Sequence, residues 1–217
     1  MPLHLVIASK RYSSWSLRAW LPLAHFGIPF SETLVPLGQD DTRARILVHS
    51  PSGRVPCLID GATHVWESLA ILEYLAELFP EHAFWPRGRA ARAEARAIAA
   101  EMHAGFAALR SALPMNLGRA PAPAGLPETV AGDVARIEAL WAAARSRFGC
   151  DGPFLFGGFG AADAMYAPVV TRLQRYGVPV SAVSQSYMDA VLALPAMQAW
   201  QAAADAEPAV ARYEGTF

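Results

Sequence analysis

The chain has 217 residues, of which 53% are hydrophobic and 17% charged, and its formal net charge is -1. This composition predicts a soluble protein with enough core for one or two domains, and the near-neutral charge gives no electrostatic basis for binding nucleic acid or an anionic membrane. Cys57 and Cys150 form no C-x-x-C pair or disulfide framework, so we expect both thiols to be reduced. The N-terminus lacks a signal-peptide layout, and no apolar run is long enough to cross a bilayer. We therefore expect an untargeted cytoplasmic protein.

The first 80 residues alternate between strand and helix patterns. Residues 3–8 form a short, β-branched run typical of a buried strand, and Leu17, Trp20 and Leu21 recur at helical spacing before Gly27. The next patterns predict a strand, a short polar helix, a β-hairpin and a helix, at 30–36, 40–48, 57–66 and 69–79. The order β-α-β-α-β-β-α predicts a small mixed sheet covered by helices.

A segment rich in proline and glycine, residues 81–88, separates this half from one without strand patterns. Helical spacing in the second half predicts two long helices, over about 98–113 and 130–141, joined by a loop at 115–128 and followed by three shorter helices. We therefore predict two domains. They are an α/β domain at 1–80 and an all-α domain at 89–217, with 81–88 as the linker.

Hydroxyl side chains stand at the start of the first predicted helix, in the segment KRYSSWS. Such hydroxyls lie beside unpaired backbone N–H groups and the positive end of the helix dipole, a setting that stabilises an anion. Serine is also a favoured N-cap, so a purely structural role is the alternative.

The Val55-Pro56 bond stands immediately before the predicted hairpin. If this bond is cis, the backbone N–H and C=O of Val55 face outward and can pair with an extended peptide as an added strand. The alternative is an ordinary trans proline at the first residue of an edge strand.

Glu67 and Ser68 stand where the following helix begins. Ser68, with its backbone N–H at the positive helix end, suits a carboxylate, and the Glu67 carboxylate suits an ammonium group. Together they fit the α-amino acid end of a ligand. A capping arrangement is the alternative here as well.

These three features together resemble the thioredoxin-like domain of the glutathione transferase superfamily. The resemblance is carried by S-P-x-G-x-V-P at 50–56 and W-E-S-x-A-I-x-x-Y-L at 66–75, with Ser50 in place of the usual asparagine. It implies that Pro56 is the family's cis proline and that the Val55 backbone pairs with the cysteinyl part of glutathione. It also implies that Glu67 and Ser68 hold the γ-glutamyl end.

The resemblance also places a thiol-activating hydroxyl. Counting back from Gly27-Ile28-Pro29, Ser13 matches the first serine of the S-S-C or S-P-Y motif of serine-type, zeta-like members, and Ser14 matches the next position. Trp15 replaces the cysteine or tyrosine of that motif and is assigned to glutathione binding. A hydroxyl that donates to the thiolate lowers the pKa of the thiol, and Tyr12, one residue away, is the alternative donor.

Other polar residues are assigned with plainer alternatives. Arg54 is expected to help hold a ligand carboxylate, and His49 to line the pocket or else to be an exposed histidine at a helix end. His103 is expected in an apolar electrophile pocket or simply in the core, together with Met102, Phe106 and Met115. No histidine pair has metal-binding spacing, so we expect no metal.

In the second half, residues 154–173 resemble the family's F-L-x-G-x-x-S/T-x-A-D element. Gly160 stands where the capping serine or threonine is usual, so the side-chain half of the capping box is lost. Asp163 keeps its place and is expected to be structural.

The resemblance thus implies a homodimeric glutathione S-transferase that activates the thiol of bound glutathione for attack on a small electrophile, without a metal. One alternative is glutathione-dependent cis-trans isomerisation, as in maleylacetoacetate isomerase. The other is a non-catalytic interaction module with a transferase fold. Retention of Glu67, Ser68, Val55-Pro56 and Ser13 argues against the module, and the lack of a cysteine after the first strand argues against a disulfide oxidoreductase.

Overall fold

The computed structural model describes residues 2–121 and 126–214. Its N-terminal half contains one four-stranded sheet in the order β2-β1-β3-β4. The strands are β1 (Leu3–Ala8), β2 (Phe30–Val35), β3 (Cys57–Asp60) and β4 (Thr63–Trp66). β1 pairs in parallel with β2 and antiparallel with β3, which forms a hairpin with β4. The predicted mixed sheet and its hairpin are confirmed.

Three helices accompany the sheet, namely α1 (Ser14–His25), α2 (Thr42–Leu47) and α3 (Ser68–Leu78). Each lies within a few residues of its predicted position. α1 is buried along most of its length, including the polar Ser16 and Arg18, because it packs against β1, α3 and helices of the second half. This central position of α1 places its N-terminus at the junction of the two halves.

The second half is helical. Its described helices are α4 (Arg89–Ala104), α5 (Ala107–Ala112), α6 (Glu128–Phe148), α7 (Ala161–Arg175), α8 (Ala182–Leu192), α9 (Pro195–Asp205) and α10 (Ala211–Glu214). The prediction of three helices after α6 was wrong, because the described part has four. Residues 122–125 of the predicted loop at 115–128 lie outside the described residues.

The prediction of one continuous helix over 98–113 was also wrong. The chain leaves α4 at Gly105, and Phe106 follows with a left-handed φ of 56°. A Cβ atom at Gly105 would lie 2.8 Å from the carbonyl oxygen of Glu101, so this tight exit favours glycine. Hydrophobic periodicity continues through the break because both helices face the same core.

The core is continuous between the halves, and α7 runs through it with residues 161–173 all buried. Asp163 caps this helix, since its carboxylate accepts hydrogen bonds from the backbone N–H of Leu155 (3.1 Å) and of Gly160 (2.9 Å). The expected structural role of Asp163 is therefore confirmed, with glycine at the capping position.

Candidate functional site

A cleft of about 390 Å³ lies where the two halves meet. It brings together the start of α1, the segment before β3, the start of α3 and the break between α4 and α5. Its lining residues are Trp15, Arg54, Val55, Pro56, Glu67, His103, Ala104 and Arg110. Five of them, Trp15, Arg54, Val55, Pro56 and Glu67, are residues that the sequence assigned to ligand binding.

The Val55-Pro56 peptide bond is cis. Val55 precedes β3 and is half-buried in the wall of the cleft. Within the described residues, neither its N–H nor its C=O is hydrogen-bonded to another group. An extended peptide in the cleft therefore finds one unpaired donor and one unpaired acceptor on Val55.

Glu67 stands at the N-cap position of α3 in a left-handed conformation, with φ 71°. A non-glycine residue in this region costs of order 1–3 kcal/mol, and such strain clusters at ligand sites. The Glu67 carboxylate is partly exposed to the cleft, 3.6 Å from His103 Nε2. The carboxylate is therefore placed to accept a hydrogen bond from a cationic group of a ligand.

Ser68 begins α3, and its side chain is fully buried. The hydroxyl contacts the Met165 sulfur at 3.8 Å, and the backbone N–H has no partner among the described residues. Ser68 can therefore bind a ligand through its backbone N–H, which lies at the positive end of the helix dipole.

The three predicted catalytic hydroxyls do not line the cleft. Ser13 is buried as the N-cap of α1, where its oxygen accepts from the Ser16 N–H (3.3 Å) and lies 2.7 Å from the Ser16 hydroxyl. The Tyr12 hydroxyl donates to the Glu214 carboxylate and accepts from the Val210 N–H (2.9 Å). Burial and Glu214 both raise the pKa of Tyr12. Ser14, in the first turn of α1, is half-buried.

Trp15 lines the cleft, and the guanidinium groups of two arginines lie over its ring. The guanidinium carbon of Arg18 lies 4.3 Å from the ring centroid, and that of Arg110 lies 4.9 Å from it. The His103 ring meets Trp15 edge-on at 5.3 Å. Burial lowers the pKa of His103. Glu67 raises this pKa, and the charges of Arg18 and Arg110 lower it further. The net shift is downward, so the imidazole is neutral at pH values near 7.

Arg54 and His49 differ in position. Arg54 is exposed at the rim of the cleft and pairs with no described carboxylate. His49 follows α2 and does not line the cleft; its carbonyl oxygen lies 2.8 Å from His64 Nδ1, and its ring lies 6.3 Å from that of His4. The structure does not bring His49 together with the other predicted residues.

A second cavity, of about 310 Å³, shares Arg110 with the cleft. Its lining residues are Tyr12, Leu37, Arg110, Ser111, Pro114, Met115, Arg172, Arg212 and Tyr213. Three arginines and no carboxylate stand in this wall. Burial, followed by the charge of Arg110, lowers the pKa of Arg172 to about 10.

Sequence reasoning missed Arg18, Arg110 and Arg172. For Arg172 a signal was present, since this arginine ends the otherwise apolar run AMYAPVVTR within the predicted helical half. A charged residue at a position that faces the core is rarely buried without a reason. Arg18 carries the same signal in RAWLPLA.

Neither a metal centre nor a membrane span is found in the described ranges. They contain no group of three or more histidine, cysteine, aspartate or glutamate residues arranged to hold a metal ion. No described helix is long and apolar enough to cross a bilayer.

Two family models match the chain. The model of the glutathione S-transferase N-terminal domain matches residues 12–78, and that of the C-terminal domain matches residues 127–203. A probable maleylacetoacetate isomerase from Caenorhabditis elegans is 30% identical over 106 residues, which are 49% of this chain and 50% of that protein. The matched part thus spans half the length of that relative.

Solved structures resemble the whole chain. A glutathione transferase homologue from Burkholderia gl BGR1 with bound glutathione is 25% identical, with a TM-score of 0.71, over 94% of this chain and 98% of that one. A holo maleyl pyruvate isomerase, described as a bacterial glutathione S-transferase of the zeta class, has a TM-score of 0.68 at 24% identity, over 95% and 100% of the two chains. The second likeness shows the fold alone.

Proposed function

The chain belongs to the glutathione S-transferase family, and we propose that it binds glutathione in the cleft at Val55-Pro56 and activates its thiol. The observation that carries this proposal is the juxtaposition of an unpaired Val55 backbone with Glu67 and the free N-terminus of α3 in one cleft.

In this arrangement the Val55 N–H and C=O pair with the cysteinyl residue of glutathione. Glu67 accepts from the α-ammonium group, and the N–H of Ser68 donates to the α-carboxylate at the helix end. Arg54, exposed at the rim, serves the remaining carboxylate. The thiol then faces the part of the cleft that Trp15 and Arg110 line.

The proposed chemistry is thiolate attack on an electrophilic carbon. The thiol loses its proton to solvent, and the sulfur forms a bond to carbon as a leaving group departs or an electron pair moves to a neighbouring atom. The protein contributes thiolate stabilisation and orientation. Ser13, Ser14 and Tyr12 are the hydroxyls that the sequence predicts for this role, and none of them lines the cleft.

The second cavity supports an anionic electrophile as the second substrate. Arg110 lines both this cavity and the glutathione cleft, and Arg172 and Arg212 add positive charge without a carboxylate in the lining. A carboxylate group of the electrophile would complete this set of charges. The same observation favours a second candidate, glutathione-dependent isomerisation of an unsaturated acid, in which the thiol adds and then leaves.

We also propose a homodimer and a cytoplasmic location. Trp66 in β4 and Leu78 at the end of α3 are large apolar side chains that are more than two-fifths exposed, as expected where a second copy covers them. Cys57 and Cys150 are free thiols, which suits a reducing compartment. Sedimentation of the purified protein and cell fractionation test these two points.

The test of glutathione binding is calorimetric titration of the full chain, first with glutathione and then with S-methylglutathione, which lacks the free thiol. Saturable binding of both is expected. Absence of binding for both would refute the proposal and favour the non-catalytic interaction module.

A further inference from the structure

Arg18 is a charged residue in the middle of the core. It is 1% exposed, its Nε donates to the Met165 carbonyl oxygen at 3.1 Å, and its buried Nη1 has no partner among the described residues. No described carboxylate pairs with it. Burial lowers the pKa of this guanidinium, and the nearby charges of Arg172 and Arg110 lower it further. An uncompensated buried charge is costly, so an anion that comes with a ligand would stabilise it.

The route from Arg18 to the cleft is the Trp15 ring. Arg18 itself lines neither cavity, but its guanidinium lies over the Trp15 ring at 4.3 Å, and Trp15 lines the glutathione cleft. Arg110 lies over the same ring at 4.9 Å. Both cations therefore sit over the π face, where the ring quadrupole attracts positive charge.

The His103 ring contacts the indole in a T-shaped arrangement at 5.3 Å, and the indole N–H edge is the part left for an anion, because the edge of an aromatic ring is its positive part. The Trp15 N–H belongs to that edge and donates to no described residue. By contrast, the Ser13 and Tyr12 hydroxyls are already hydrogen-bonded within the protein. Of residues 12–16, Trp15 is the residue in the lining of the cleft beside Pro56.

We propose that Trp15 is the catalytic residue that contacts the glutathione thiolate and that the buried Arg18, acting through the Trp15 ring, is a positioning residue that stabilises this anion. The inference rests on the proposed glutathione site. No proton passes to either residue: the thiol proton goes to solvent, and the negative sulfur is held by the indole edge and the field of Arg18 and Arg110. The other charged or titratable groups here are Arg54, His103 and Glu67, of which only Glu67 opposes thiolate formation.

The test follows the thiolate absorbance of bound glutathione against pH in the parent and in variants. Trp15→Leu and Arg18→Met should each raise the apparent pKa of the bound thiol by about one unit, since a nearby opposite charge shifts a pKa by 1–3 units. In Arg18→Lys, which keeps the charge, the apparent pKa of the bound thiol should lie between the values for the parent and for Arg18→Met. Affinity for S-methylglutathione should change by less than about threefold in the two Arg18 variants, because that ligand carries no thiolate and Arg18 does not line the cleft.

Arg119→Met is the matched control, since Arg119 lies over the Tyr176 ring at 4.6 Å but lines neither cavity. It should leave the thiol pKa unchanged. If Arg18→Met does not fold, Trp15→Leu, at a half-buried position, tests the proposed thiolate contact without it. An unchanged thiol pKa in Trp15→Leu, or an equal rise in Ser13→Ala, overturns the inference while the parent still binds glutathione. If the parent binds neither ligand, the proposed function fails first.

Discussion

The carboxylate of Glu207 accepts a hydrogen bond of 2.8 Å from the backbone N–H of Lys10, 197 positions earlier in the chain. Its other oxygen accepts from the N–H of Arg11 at 3.2 Å. From the same side, the Trp200 indole donates to the Lys10 carbonyl oxygen at 3.0 Å. The loop between β1 and α1, which carries the predicted thiol-activating residues, is thus fixed by the C-terminal part of the helical half.

Removing the Glu207 carboxylate should destabilise the fold. In Glu207→Ala two backbone N–H groups lose their acceptor, which should lower the free energy of unfolding by about 1–3 kcal/mol. Urea unfolding measures this. Asp205→Ala is the control from the end of α9, because Asp205 is exposed and bonds to Gln201 in its own helix, and it should change stability by less than about 0.5 kcal/mol. Equal effects of the two substitutions would show that Glu207 does not anchor the loop.

Neutralising Glu67 should weaken ligand binding. Glu67→Gln removes the charge that we expect to meet the α-ammonium group, and a hydrogen bond to a charged group contributes about 1.5–3 kcal/mol, so the Kd for S-methylglutathione should rise about 10- to 100-fold. Calorimetry gives the Kd. Glu77→Gln, at an exposed position of α3 outside this cleft, should leave the Kd as it is. Unaltered affinity in Glu67→Gln would contradict the γ-glutamyl assignment.

The arginines of the second cavity should bind a dicarboxylate. With S-methylglutathione bound, affinity for a small unsaturated dicarboxylate should fall by up to about fivefold in Arg212→Gln, because an exposed ion pair contributes up to about 1 kcal/mol. Added salt should shrink the difference. Arg175→Gln is the control, since Arg175 lines neither cavity and donates to the Arg119 carbonyl oxygen. A dicarboxylate that binds both variants and the parent alike would place the anionic substrate elsewhere.

Asp163 should make stability depend on pH. Burial raises the pKa of its carboxyl from 3.8 to about 6, against the two N–H groups that it caps. Because the pKa of Asp163 is higher in the folded state than in the unfolded state, protonation of this carboxyl stabilises the fold. The stabilisation is complete below the unfolded-state pKa and is lost as pH rises through the folded-state pKa. Asp163→Asn cannot titrate, so its destabilisation should be larger at about pH 4 than at about pH 7, by at most about 3 kcal/mol.

Urea unfolding of parent and variant at both pH values measures this difference. Asp189→Asn, whose parent residue is exposed on α8 and bonds to Gln185, serves as the control and should show no comparable change. A constant cost of Asp163→Asn across this range would mean that the carboxyl titrates at its ordinary value in the fold.

Much of this architecture could be predicted from local patterns. A β-branched run at 3–8, the Gly-Ala turn at 61–62 and helical spacing in α1 and α3 each depend on neighbours within a few residues, and the structure confirms them. The motif around Val55-Pro56 was found for the same reason, because its residues are adjacent in sequence. The break at Gly105 was not predicted, since the apolar spacing continues through it.

The partners of some polar side chains lie far away in the chain, whereas other polar side chains cap their own helix. Ser13 caps its own helix, which is the alternative that its position at the helix start also allowed, and Tyr12 binds residues about 200 positions later. The sequence by itself determined the strands and most helices, because short-range sterics and periodicity specify them, and a family resemblance implied the cis bond at Val55-Pro56. Only the tertiary structure placed Arg18 and Arg110 on Trp15, since burial and charge at a site depend on packing between elements that local sequence does not encode.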